Sequence, residues 1–379
     1  MTYPQKYRKI YTKYSKKRKG KVGALKFKDF LKKKNVELSA KKYFIDAMGA
    51  MALGLFSTLL IGTIFDTIGK YIPGSFGEFL IQCASFAKQV SGAVIGIAVA
   101  NSLSAPPLVM FSAGVVGQAG YALGSIFTIG GAEKTLTAGP AGAYIAVLIA
   151  VELGKIVSKE TKVDIIVTPT VTILSGLGIA KLVCPAIAWA MYYLGDFINR
   201  TTELRPFVMG IIISVVVGII LTLPISSAAI CAMIGISGLA GGAAAAGCCA
   251  QMVGFAVISF RENKWGGVVA QGLGTSMLQM GNIVKKPIIW LPATLASAVT
   301  GPISTMIFKL ECTGVSAGMG TCGLVGPLGI ISATEEKGVM FWVGLALVCV
   351  VLPAVLSLVF NEILRAMKLV KTGDMKLEL

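Results

Sequence analysis

The side chains best equipped for chemistry in this 379-residue chain are amides and hydroxyls set into apolar surroundings. Gln271, Thr275, Gln279 and Asn282 interrupt the apolar segment 266–284, Gln251 lies in a run of small residues, and Glu335 ends the tripeptide Ala333-Thr334-Glu335. Such groups hold a polar solute through directed hydrogen bonds, and in an apolar medium they are costly unless something satisfies them. Two readings stay open for the amides: contact with a solute, or satisfaction of the backbone around them. Glu335, with Glu336, is either a charge-assisted acceptor for a polyol or part of an interfacial turn with Lys337.

Other chemistry is excluded. The chain has no histidine, which removes imidazole as metal ligand, proton relay or phosphoacceptor. Its eight cysteines lie mostly inside apolar stretches without CxxC spacing and read as small buried hydrophobes. No nucleophile is accompanied by a base. Neither a metal nor a cofactor is implied, and a simple enzyme is not expected.

The elements that must position these groups are membrane helices. Between Arg205 and Arg261 run 55 residues without a charge, too many for one crossing, which takes roughly 20 apolar residues. That run holds two crossings with a broken middle at 223–254, or three tight ones. Mean hydropathy is +0.78 and only 14% of residues are charged, far below the roughly 25% of soluble chains. The stretch 266–284 carries too many amides and glycines to face lipid and suits a re-entrant hairpin. A second glycine-rich stretch, 312–329, is another candidate.

The remaining spans follow from charge and proline. A first, uncleaved span covers Phe44 to Ile68, and 69–87 reads as an interfacial segment outside the membrane. Pro106-Pro107 separates two spans, with Asn101, Ser102 and Ser104 as helix caps. Further spans are expected at 138–156, 287–308 and 339–359, while 165–195 is either one kinked helix or two short ones. About ten crossings result.

The net charge of +17 is concentrated at one end. Lys6 to Lys42 holds 16 of the 35 basic residues, which reads as a tail on the cytoplasmic membrane surface rather than a nucleic-acid binder. The loops around Lys159 and Asn263 are then cytoplasmic, 196–205 is external, and both termini are cytoplasmic. The expected division is a basic tail at 1–42, membrane halves at 43–200 and 201–361, and a C-terminal tail at 362–379.

Residues 224–263 (PISSAAICAMIGISGLAGGAAAAGCCAQMVGFAVISFREN), 272–302 (GLGTSMLQMGNIVKKPIIWLPATLASAVTGP) and 316–327 (SAGMGTCGLVGP) together resemble the membrane subunit, enzyme IIC, of bacterial sugar phosphotransferase systems, in the branch that includes perfringolysin regulator-like membrane proteins. The resemblance runs from about Ile45 to Val359. It implies an all-α integral membrane protein of elevator type, with a dimerising scaffold, a substrate-binding half and two re-entrant hairpins, in the bacterial plasma membrane. It also implies a homodimer that carries a small sugar-like solute by alternating access. Sugar-transporting relatives often have an Ile-Thr-Glu signature, to which Ala333-Thr334-Glu335 is a loose match. The chain departs from the pattern in its basic tail, and it holds no phosphorylating IIB domain, so transport-coupled phosphotransfer would require a separate IIB protein. The alternative is a membrane sensor that regulates gene expression through the basic tail.

Overall fold

The computed structural model describes residues 30–36, 39–129, 132–335 and 337–377. Most of the basic tail and Glu336 lie outside the described residues. The described residues are mostly helical, and among them six helices are long and apolar enough to cross a membrane, or seven if one bent pair is a single span. This is fewer than the ten expected, because several apolar stretches break into short helices.

Helix α1, Lys42–Tyr71, contains the first apolar segment. The next segment was expected to lie outside the membrane, but Pro73 and Gly74 (φ 89°) turn the chain and Ser75–Gln89 returns beside α1 as α2. Glycines make that return possible: a Cβ at Gly69 would sit 2.8 Å from the Gly77 carbonyl oxygen. A 50° bend joins α2 to α3, Ser91–Ser102. Helix α4, Pro107–Ala122, begins at the second proline, whose fixed φ and missing N–H suit a first helical position.

Ser104 does not cap a helix end through its side chain as expected. It takes φ 54° in the turn between α3 and α4, and that turn is held instead by Lys155, whose Nζ donates to the Leu103 carbonyl at 3.1 Å and pairs with Glu152.

A β-hairpin, β1 Gly124–Ile129 with β2 Ala132–Thr137 antiparallel to it, follows α4 and was not foreseen. Phe127 stacks on Tyr192 at 4.6 Å and meets Trp189 edge-on at 4.8 Å. Helix α5 spans Gly139–Val157, and α6 is one unbroken helix over Asp164–Thr201, including Pro169 and Pro185. At 38 residues it is about 57 Å long, well beyond a hydrocarbon core of about 30 Å.

The second half alternates long and broken helices. These are α7 Pro206–Thr222, α8 Ser227–Ile234, α9 Gly238–Ile258, α10 Phe260–Val269, α11 Met280–Lys285, α12 Pro287–Ile307, α13 Gly314–Ala317, α14 Val325–Ala333 and α15 Val339–Ala366. The α7, α9 and α12 bundle packs on small residues, which lets backbones approach as they do in membrane interiors. Ser214 Oγ donates to the Ser297 carbonyl at 2.8 Å, and Ser297 Oγ to the Gly247 carbonyl at 3.2 Å. A Cβ on Gly247 would lie 1.9 Å from the Ser214 carbonyl oxygen.

Gly247→Ala should therefore lower stability by about 1–3 kcal/mol or more through overpacking. Gly178→Ala in α6, where nothing lies within 4 Å of the added carbon, should be neutral or stabilising by up to about 1 kcal/mol. Thermal unfolding of the two variants in detergent checks the contrast.

Candidate functional site

Three breaks in the second half converge. Pro224 forces Leu223 out of the helix (ψ 157°), and Ser226 restarts it by accepting from the Ala229 amide at 3.1 Å. The second break centres on Thr275, extended at φ −159° and ψ 143°, whose hydroxyl accepts from the Met277 amide at 3.1 Å. The third lies between α13 and α14, where Gly320, Gly323 and Leu324 all take positive φ.

Hydroxyls tie the breaks pairwise. Thr222 and Ser276 join the first and second through an Oγ1–Oγ contact of 2.7 Å. Ser227 joins the first to the third by donating to the Gly318 carbonyl at 2.7 Å, and Thr321 joins the third to the second by donating to the Gly272 carbonyl. The Gly318 and Gly272 carbonyls thus find partners inside the protein, the condition for irregular backbone at membrane depth.

Around these breaks, between them and helices α1 and α2, lies a cavity of about 610 Å³. Thr275, Ser226, Ser227 and Ser316 line it from the breaks, and Thr63, Asp66 and Lys88 from the first half. Asp66 Oδ2 accepts from Lys88 Nζ at 2.9 Å and from Lys70 Nζ at 3.0 Å. The sequence reading missed this cluster. Its one signal was a carboxylate inside the first apolar run with a lysine four residues on.

Of the six residues singled out in the sequence, Thr275 alone is among the described residues lining this cavity. Gln271, Gln279 and Asn282 come together on the side of the second broken helix facing the C-terminal tail. Gln271 donates to Ser259 Oγ and the Gly267 carbonyl at 2.8 and 3.0 Å, Gln279 to Gln271 Oε1 at 2.9 Å, and Asn282 to Gln279 Oε1 at 2.9 Å. The ladder ends on the tail: Gln279 donates to the Met375 carbonyl at 3.0 Å and Asn282 to the Lys376 carbonyl at 2.9 Å. Asn263 grips the same segment, donating to the Met375 carbonyl and accepting from the Leu377 amide, both at 2.8 Å. Asn282 also borders a smaller cavity of about 370 Å³ with Asp46, Lys285 and Lys376.

Gln251 stands apart from this ladder. Its Oε1 accepts from Trp290 Nε1 at 3.0 Å and from Thr222 Oγ1 at 3.4 Å, and its Nε2 donates to Thr294 Oγ1 at 3.2 Å, so it joins α7, α9 and α12. Glu335 is exposed beyond α14, while the preceding Thr334 bonds the backbone of Glu311.

These features define a class, a multi-pass all-α membrane protein whose cavity is walled by broken helices. Residues 45–377 match the family model described as "Phosphotransferase system, EIIC". The chain belongs to that family, and so to the membrane transporter components of such systems. A search of the curated proteins returns no match.

The tail's attachment is titratable. Partial burial pushes the Asp374 carboxyl up, but hydrogen bonds from Lys286 and the Lys371 amide outweigh it and hold it below its ordinary value. A lowered folded-state pKa contributes stability that is present above the unfolded value, about 4, and is lost as pH falls through the folded value. Amide exchange at residues 369–377 should therefore be steady from pH 7 to about 5, relative to intrinsic rates, and accelerate below about 4. Asp374→Asn should give the faster exchange already at pH 7.

Proposed function

We propose that this protein is a carrier of a small polar, sugar-like solute, bound in the 610 Å³ cavity and moved by alternating access. The observation that carries the reading is the meeting of three helix breaks at one cavity. Broken helices present polar groups at membrane depth, where carriers of this kind bind. Thr275 contacts the solute in this reading, Gln251, Gln271, Gln279 and Asn282 hold the broken helices that present it, and Glu335 lies outside the cavity.

Contacts support a topology of eight crossings and three re-entrant pairs rather than ten and two. Helices α7 and α9 run parallel, with Ser214 at Gly247 and Thr222 at Gln251, so the chain must turn back between them through α8. Helix α12 runs against both, with Gly210 near Pro302 and Gln251 at Trp290. The crossings are then α1, α2–α3, α4, α5, α6, α9, α12 and α15, and α7–α8, α10–α11 and α13–α14 are the re-entrant pairs.

An even number puts both termini on one side, the cytoplasmic side of a bacterial plasma membrane in this reading. Three contacts fit that assignment: Lys34 pairs with Glu160, Asn263 holds the tail at Met375, and Lys376 borders a cavity with Asp46. The main cavity reaches Tyr71 and Pro140 at the opposite end, as expected of an outward-facing state. The first half serves as scaffold and homodimer interface, the second moves in elevator fashion, and a separate IIB protein supplies any phosphoryl group.

Cysteines placed singly at Lys159 and Asn263, in a background freed of native cysteine, should label only from the cytoplasmic side, and one at Thr202 only from outside. Labelling of all three from one side would overturn the topology. For the site, Thr275→Val should weaken solute affinity by roughly 0.5–1.5 kcal/mol, and lower stability by about 1 kcal/mol because the Met277 amide loses its acceptor. Gln279→Leu should spare affinity and lower stability by about 1–3 kcal/mol, because the Met375 carbonyl loses a donor. Calorimetry and thermal unfolding separate the two, and the reverse pattern of affinity would move the solute to the amide ladder.

A further inference from the structure

The geometry points to a solute class: we infer that the cavity takes a polyol or sugar-like molecule bearing an anionic group, carboxylate or phosphate, with Lys88 as its chief charge partner. The inference rests on the carrier reading above and sharpens it.

Charge is the first ground. Among the described residues lining the cavity the only charged ones are Asp66, Lys70 and Lys88. One carboxylate faces two ammonium groups, at 2.9 and 3.0 Å, so the lining carries a net +1. Solvent screens the two cations unequally: the Lys70 side chain is 62% exposed, whereas Lys88 and Asp66 are 32% and 23% exposed, so the less screened ammonium is that of Lys88. Apolar groups such as Leu59, Leu60, Met319 and Val325 share the walls, and a low-dielectric wall strengthens the field of an uncompensated charge. An anion arriving there gains more than a neutral solute does.

The second ground is the direction of the hydrogen bonds. Lys88 has three donors and lends one to Asp66, leaving two for a ligand. Ser226 and Thr275 use their oxygens as acceptors from the Ala229 and Met277 amides, which frees their hydroxyl protons to donate. Thr63 and Ser227 donate to the Leu59 and Gly318 carbonyls and so offer lone pairs. The site thus combines cationic and hydroxyl donors, suited to an anionic head, with acceptors suited to the hydroxyls of a polyol. The Asp66 carboxylate tempers the charge and holds both ammonium groups in place.

The test compares gluconate and gluconate 6-phosphate with sorbitol and glucose, six-carbon compounds with and without acidic groups, by calorimetry on the full-length protein in detergent. At least one acidic compound should bind roughly tenfold more tightly than sorbitol or better, with affinity falling as salt rises. Lys88→Gln should reduce that binding roughly tenfold or more and weaken sorbitol binding far less, and Asp66→Asn should strengthen binding of the acids. Should Lys88→Gln fail to fold, the salt dependence of the unaltered protein and the more exposed Lys70→Gln, with a smaller loss, carry the same test. Sorbitol or glucose binding as tightly as the acids, or acid binding indifferent to Lys88→Gln, overturns the anionic class while the carrier reading stands. No binding of acids, sorbitol or glucose overturns both.

Discussion

Backbone polar groups at membrane depth must be satisfied by the protein itself, and the architecture of the second half follows from that constraint. Three helices stop inside the bundle, and each stop frees amides and carbonyls that apolar neighbours cannot bind. The structure resolves this by bringing the stops together. Thr222 with Ser276, Ser227 with Gly318 and Thr321 with Gly272 close a triangle of bonds between the breaks, two of them to backbone carbonyls. Because irregular backbone is tolerated only around protein or a polar cavity, the cavity and the breaks are one feature.

Small residues are the second requirement. Gly247 against Ser214, and Gly301 against Gly210, bring backbones into contact where any side chain would hold them apart. Lipid tails are as apolar as leucine, so burial alone drives no association between such helices; close packing and hydroxyl bonds do. The serines at 214 and 297 use both, sitting at the contact and bonding carbonyls across it.

The amide ladder shows how one chemical pattern serves two roles. Gln271, Gln279 and Asn282 are costly inside an apolar layer unless paired, and here they are paired with each other and with the tail backbone at Met375 and Lys376. The tail therefore belongs to the folded core, with Met375 fully buried. The protein places its charged polar lining elsewhere, at Asp66, Lys70 and Lys88, where α1 and α2 face the breaks.

The sequence alone was enough to reveal a membrane protein with broken helices, because both the solvent and the helix stops are written locally; the phosphotransferase EIIC type was legible only through the resemblance of 224–263, 272–302 and 316–327 to that family. A charge-free run can only be lipid- or protein-covered, Pro224 disfavours continuing a helix, and the glycines of 312–329 make one long helix costly. Tertiary structure decided everything that depends on partners remote in the chain. It set which break meets which, gave Gln279 a carbonyl 96 residues away, brought Lys88 to Asp66 across the Gly74 turn, and kept α6 whole through two prolines. Composition records that an amide or a lysine needs a partner; only the folded chain supplies one, because hydrogen bonds and ion pairs depend on distance in space and not on order along the sequence.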